Sequence, residues 1–353
     1  MILPASRVIE SATGREGSRK SRPLCRGCRR KKSSVAAAGL VVALAVVCGA
    51  GLRPALAHPA PPHVHLAPVE DLLARMVKSP HASIRAAAIE SLKRLNAPIT
   101  RVLVARGLAD KSSMVRFSAA MVAGKRRIKS LLPSLQQLLK DPDISVRVAA
   151  IYALSRLGHI RHMGELAQTL DNKNPTVRAN TAFVLGRLGD PSAILLLKSR
   201  VNDRNSAVRM AVTSALARLG DPRAVNSLIA MSMSKYAQYH LAAMSTCRSL
   251  PNPLAINVLL NGLHDPLPAA QLIAARGLGQ RNSTLGEKNV LAYSKAKNAQ
   301  LRVLAALALG SIPIAYNAHV LRKMLADPDA KVDIAAASGL IELHHLADLA
   351  LKK

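Results

Sequence analysis

Cys25 and Cys28 form a C-x-x-C pair, the spacing of a zinc knuckle or a dithiol, and His58, His63 and His65 crowd one short stretch after it. A structural zinc site needs four ligands, and no second pair stands elsewhere in the chain. The other histidines are scattered, and H-E-x-x-H, G-x-S-x-G and a phosphate-binding glycine loop are all missing. The sequence therefore offers no metal, cofactor or catalytic set, and none is expected. Cys48 lies in an apolar run, and Cys247 stands where related segments carry Leu154, Leu185 and Leu216, which makes it a small core residue.

Arginine is the chemistry-bearing residue with a spacing. Arg85, Arg116, Arg147, Arg178 and Arg209 recur every 31 residues, and the same interval then reaches His240, Gln271, Arg302 and Asp333. A guanidinium fork matches a carboxylate bidentately, and Asp110, Asp141 and Asp203 stand six residues before their arginines. The predicted role is a structural ladder of Arg85, Arg116, Arg147, Arg178, Arg209 and Arg302 with those aspartates, tying turns within or between units.

Nine beats at one period mean a repeat protein. Four residues before the arginine stand Ser112, Asp143, Asn174, Asn205, Asn298 or Asp329, short polar side chains suited to capping a helix. Pro175 and Pro268 follow at the first helical position. Gly158, Gly189 and Gly220, with Asn96 and Asn282, stand eleven residues after the beat, where a left-handed residue closes a helix. Pro98, Pro191, Pro222 and Pro253 mark the start of an upstream helix. Each unit is thus a helix pair that buries its face only against its neighbours, and the expected fold is all-α: a right-handed α-solenoid of about nine 31-residue hairpins.

On the second helix, positions −1, +3, +7 and +10 from the arginine form the apolar stripe, while +2, +5 and +9 lie opposite, on the expected concave face. The +9 column reads Arg94, Lys125, Arg156, Arg187 and Arg218, then Ser249, Gln280, Ser311 and Glu342. One turn earlier stand Met121, Tyr152 and Phe183. Aromatic and arginine side chains anchor protein interfaces most often, so Met121, Lys125, Tyr152, Arg156, Phe183, Arg187 and Arg218 are the candidate docking residues. Solvated bases near a helix C-terminus are the competing explanation.

The D-P-x-x-x-V-R-x-A-A core at Asp141 to Ala150, with L-G-D-P at Leu188 to Pro191 and Leu219 to Pro222, resembles the HEAT-repeat superfamily, and within it the HEAT-like repeats named after phycobilin lyases. The resemblance covers about Leu66 to His344. It implies a scaffold fold and leaves function open. Di-iron hydroxylases built on such repeats hold their metal through His-Glu pairs, and this sequence contains no His-Glu dipeptide. Helical-repeat DNA glycosylases use tryptophan on a basic concave face, and Trp is absent here.

The chain has 50 Lys and Arg against 20 Asp and Glu, a net charge of +30. Its first 57 residues hold eleven of those bases with Glu10 and Glu16, leaving a net +21 beyond them. Such a surface attracts acidic proteins, nucleic acid or anionic lipid. Residues 19–32 are basic, 35–52 are uncharged, and Ala55-Leu56-Ala57 follows, the order of an export signal cleaved before His58. The apolar run is also near spanning length, so an uncleaved N-terminal anchor stays open, with membrane contact only through residues 35–52.

The expected organisation is a signal or anchor at 1–57, a Pro/His-rich linker at 58–65, nine repeats at 66–344 and a capping half-repeat at 345–353. The functional expectation is an exported, periplasmic or envelope scaffold, non-enzymatic, that binds a protein partner with an acidic segment along its concave face. A HEAT-like lyase or hydroxylase is the alternative, and a nucleic-acid binder the second. Oligomeric state is not legible.

Overall fold

Residues 65–351 are described in the computed structural model, and every regular element among them is helical. The export segment, the apolar run and all of the linker but His65 lie outside the described residues, as do Lys352 and Lys353.

Eighteen α-helices form nine pairs among the described residues. The second helices of the pairs are α2 (Ala82–Ser91), α4 (Ser113–Arg126), α6 (Ile144–Arg156), α8 (Pro175–Leu188), α10 (Ser206–Arg218), α12 (Ala237–Cys247), α14 (Pro268–Gly279), α16 (Ala299–Leu309) and α18 (Ala330–Leu351). The first helices alternate with them, from α1 (Ala67–Met76) to α17 (Ala315–Met324). The polar residue before the second helix caps it as its chemistry dictates: Asp143, Asn174, Asn205 and Asn298 each accept a hydrogen bond from a first-turn N–H. Ser112 holds the same place without a side-chain cap. Pro175, Pro268, Pro98, Pro222 and Pro253 open their helices, whereas Pro191 sits in the turn before a helix that begins at Ala193.

The left-handed column holds at Gly158, Gly189, Gly220 and Asn282. Asn96 departs from it, because α2 tightens into a 3-10 turn over Leu92–Arg94 and leaves the chain extended at Leu95. Asn96 instead accepts a hydrogen bond from the Arg126 guanidinium. Arg127 takes the left-handed place in the second unit, at φ 52°. The half-repeat expected at 345–353 falls on the end of α18 and, at Lys352 and Lys353, outside the described residues. Residues 345–351 continue α18 without a break, since Ala, Leu and His provide helix formers and neither glycine nor proline interrupts them.

Successive second helices pack side by side along the array, so they form an inner layer, and the first helices form the outer one. Close approach requires small residues. A Cβ on Gly124 would lie 2.6 Å from the Ala153 Cα, and one on Gly186 would lie 2.7 Å from the Ala215 Cα, so neither position tolerates a side chain.

The array does not end in two free faces. Helix α18 packs against both α1 and α2, which joins the ninth pair to the first. Leu73, Ile89 and Leu92 accordingly share one buried apolar cluster with Leu309, Leu340 and Ile341. The inner layer is therefore a closed ring, and the expected open groove is a lumen.

Candidate functional site

The clock arginines build the frame that holds the lumen. Arg85 donates through Nε and Nη2 to both carboxylate oxygens of Asp110 at 2.7 Å, and its Nη1 donates to the Ser79 and Pro80 carbonyls of its own unit. Arg116 with Asp141, Arg178 with Asp203 and Arg302 with Asp327 repeat the bidentate contact at 2.7–2.8 Å. Each pair spans 25 residues, so an arginine ties its turn to the aspartate of the next unit rather than to the one six residues before it. That aspartate also accepts a backbone N–H in its own turn, as Asp110 does from Ser112 and Asp203 from Asn205. The Arg178 hydrogen bond holds the Asp203 carboxyl below its ordinary range, and the Arg302 bond does the same for Asp327.

Two rungs lack their acid. Position 25 ahead of Arg147 is Asn172 and that ahead of Arg209 is Ser234, so both arginines keep only carbonyl contacts, Arg147 to Asp141 and Arg209 to Asp203 and Arg204. His240 keeps the ladder in the sixth unit: its Nε2 lies 2.9 Å from Asp265 and its Nδ1 meets the Ser232 carbonyl. Gln271 supplies only the carbonyl half of the contact, through Nε2 to Asp265 O at 2.8 Å. Asp333 ends the series. Burial pushes its carboxyl up to about 6, with Asp327 and Asp329 adding to the rise, and its Oδ1 is buried without a hydrogen-bond partner.

The +9 column does face the lumen. Lys125 is pushed down to about 8 by burial and by the charges of Lys93, Arg94 and Arg187, which belong to the first and fourth units. Burial lowers Arg218 to about 10, with Arg187 beside it. Arg187 lies over the Phe183 ring, 5.2 Å from its centroid, a cation–π contact. The Arg156 Nε is buried without a partner. Arg94 pairs with Glu342 across the seam between first and last units.

Tyr152 is the correction among the docking residues. It is 5% exposed and its ring packs on Gly124, so it supports the wall from behind and presents no open face. Met121 and Phe183 are half-buried, each packed on the apolar core. The bases also continue past the fifth unit, where the +9 column becomes Ser249 and Gln280. Arg248 and Arg276, at +8 and +5, take over the wall, and burial lowers both, Arg248 to about 9. A search of every inner-face position for bases, instead of one column, finds them in the sequence. Cys247 is fully buried, and burial pushes its thiol up to about 11. No cluster of three or more metal-ligating side chains occurs among the described residues.

The family profile for HEAT repeats matches residues 100–162 and 163–246. Residues 100–246 are thus matched as HEAT repeats. No curated protein matches the chain. Among solved structures, the chain is similar to human deoxyhypusine hydroxylase in complex with glycerol at 19% identity, covering 78% of this chain and 96% of that one, with a TM-score of 0.36. It is similar to the CpcE and CpcF complex of phycocyanin lyase from Nostoc sp. PCC7120 at 19% identity, covering 74% and 98%, with a TM-score of 0.44. An engineered protein is similar at 18% identity, covering 78% and 89%, with a TM-score of 0.29.

Proposed function

We propose that the chain is an exported, non-enzymatic scaffold that binds an acidic segment of a protein partner on the inner wall of its helical ring. The observation that carries this reading is charge without counter-charge. Lys125, Arg156, Arg187 and Arg218 line the wall of units two to five, and none has a carboxylate in ion-pair range among the described residues. A groove lined by one sign of charge with low-dielectric walls focuses the field and draws in a segment of the opposite sign. Phe183 and Met121 add apolar area beside the bases, which favours a peptide over a bare polyanion. The basic, apolar and small-residue order of residues 19–57 supports export, and with it a periplasmic or envelope address for this scaffold.

The experiment is fluorescence anisotropy of a synthetic twelve-residue acidic peptide and of an oligonucleotide of equal charge, against the mature chain and a Lys125→Gln, Arg187→Gln variant. The expected outcome is peptide binding that weakens roughly tenfold in the variant and falls with salt, since two charge contacts are removed. Equal binding to both proteins, or tighter binding of the oligonucleotide, overturns the reading.

A further inference from the structure

A second set of enclosed charges lies beside the docking wall, where units six and seven face unit one. Arg276, on the inner face of α14, has its Nε buried with no hydrogen-bond partner. Arg248 is oriented by its Nη1 bond to the Gln280 side chain at 3.0 Å, an amide that holds the guanidinium without neutralising it. Lys93 enters from the first unit, with 30% of its side chain open to water and its amine 4.0 Å from Glu90. Arg94 and Glu342 pair at the seam beside them. These groups share one field. Lys93 feels Arg276 and Arg248, Arg248 feels Arg276, Arg218, Arg187 and Glu342, and Arg276 feels Glu342, Glu90 and Arg94.

Four basic side chains, Lys93, Arg94, Arg248 and Arg276, thus meet two acidic ones, Glu90 and Glu342, so bases outnumber acids by two in this part of the lumen. A guanidinium is a far weaker acid than an ammonium and keeps its charge at neutral pH, and burial lowers Arg248 only to about 9. Burial of an unpaired charge is unfavourable unless a counter-charge arrives. Planar guanidiniums with several free N–H donors fit a compact tetrahedral oxyanion better than a single carboxylate.

We propose that this cluster is a binding site for a phosphate-class dianion, which neutralises Arg248, Arg276 and Lys93 and helps hold the ring closed at its seam. The site uses the same lumen as the docking wall but none of the residues that test it, and it needs no partner protein. A free phosphate and a phosphorylated side chain of a bound segment offer the same chemistry.

The test measures melting of the full mature chain in inorganic phosphate and in sodium chloride of equal ionic strength, with titration calorimetry of inorganic phosphate and of a phosphoserine peptide. The expected result is a melting temperature raised by phosphate beyond the chloride control, and one site per chain. Tighter binding of the peptide assigns the site to a phosphorylated segment, and tighter binding of inorganic phosphate assigns it to the free ion. Arg276→Gln and Arg248→Gln are each expected to weaken binding tenfold or more. Arg276→Gln should also melt at or above the parent in chloride, since it removes an uncompensated charge, and lose that advantage in phosphate. Lys93→Gln gives the same readout should either arginine variant fail to fold. Phosphate no better than chloride with the parent chain, or an Arg276→Gln variant destabilised equally in both buffers, overturns the proposal. Neither result touches peptide binding at Lys125 and Arg187.

Discussion

Removal of Arg178 should cost far more than removal of Arg147, although the two arginines occupy the same place in adjacent units. Both donate to a carbonyl six residues back, at 2.8 and 2.7 Å. Only Arg178 also grips a carboxylate, with side chains 6% and 5% exposed for Arg178 and Asp203. Arg147→Ala removes one net hydrogen bond, about 1 kcal/mol. Breaking a buried pair from one side costs about 3–5 kcal/mol, because the partner stays charged and desolvated. Asp203 keeps its bond from the Asn205 N–H, so the lower end of that range applies. The expected difference is about 2 kcal/mol, or roughly 0.7 M in urea midpoint at a slope of about 3 kcal/mol/M. Arg178→Ala with Asp203→Ala should recover part of the loss, since the stranded carboxylate goes too. The Asp203 carboxyl lies below its ordinary range in the fold, so the pair's contribution is present above the unfolded value of about 3.9 and fades as pH falls through the lower folded value. The gap between variants should therefore persist at pH 5 and close in stronger acid. Equal midpoints for Arg178→Ala and Arg147→Ala at pH 7 would refute the reasoning.

Two further outcomes follow from the seam and from the end of the ladder. Glu342→Gln leaves Arg94 without its acid, and hydrogen exchange should quicken in α1 and in the last turns of α18 while α8 keeps its protection; a uniform change across all nine units counts against a seam. Asp333 is raised to about 6, so its penalty is absent below about pH 4, grows between pH 4 and 6 and is constant above. Asp333→Asn should stabilise by on the order of 3 kcal/mol at pH 8 and by little at pH 4, read as a melting shift at both values; an equal shift at both pH values contradicts a titrating Asp333.

Local chemistry made the pairs legible. Capping residues, N1 prolines and left-handed glycines act within one helical turn, so Asp143, Pro175 and Gly189 announce their roles without any tertiary context. The ladder was legible as a pattern but not as a connection. Six residues and 25 residues are both consistent with a 31-residue period, and only packing of one turn on the next decides between them. His240 illustrates the same limit: compared with Ser234 in its own unit it reads as a lost rung, yet Asp265 of the following unit completes it. Tyr152 was misplaced because helical phase gives a direction and not a depth, and the glycine at position 124 lets the neighbouring helix cover the ring.

Closure was beyond the period altogether. The rotation between successive units is set by how nearly the inner helices approach, and nine units return to their start only when each contributes roughly 40°. That angle is a small residual of packing. Gly124 against Ala153, Gly186 against Ala215 and Gly310 against Gly339 bring inner helices together at three junctions. A sequence pattern records which positions are small, but the sum of nine such angles decides whether the row stays open or meets itself. Meeting itself changes the chemistry of every inner residue. On an open concave face the bases of units one and six would be independent, solvated charges; in the ring Arg276 and Arg248 lower the affinity of Lys93 for the proton, and Arg276 lowers that of Arg248. The shared charge field of the inner residues thus arises from the join of α18 to α2, a contact between residues some 250 positions apart, as the pairing of Arg94 with Glu342 across 248 residues records.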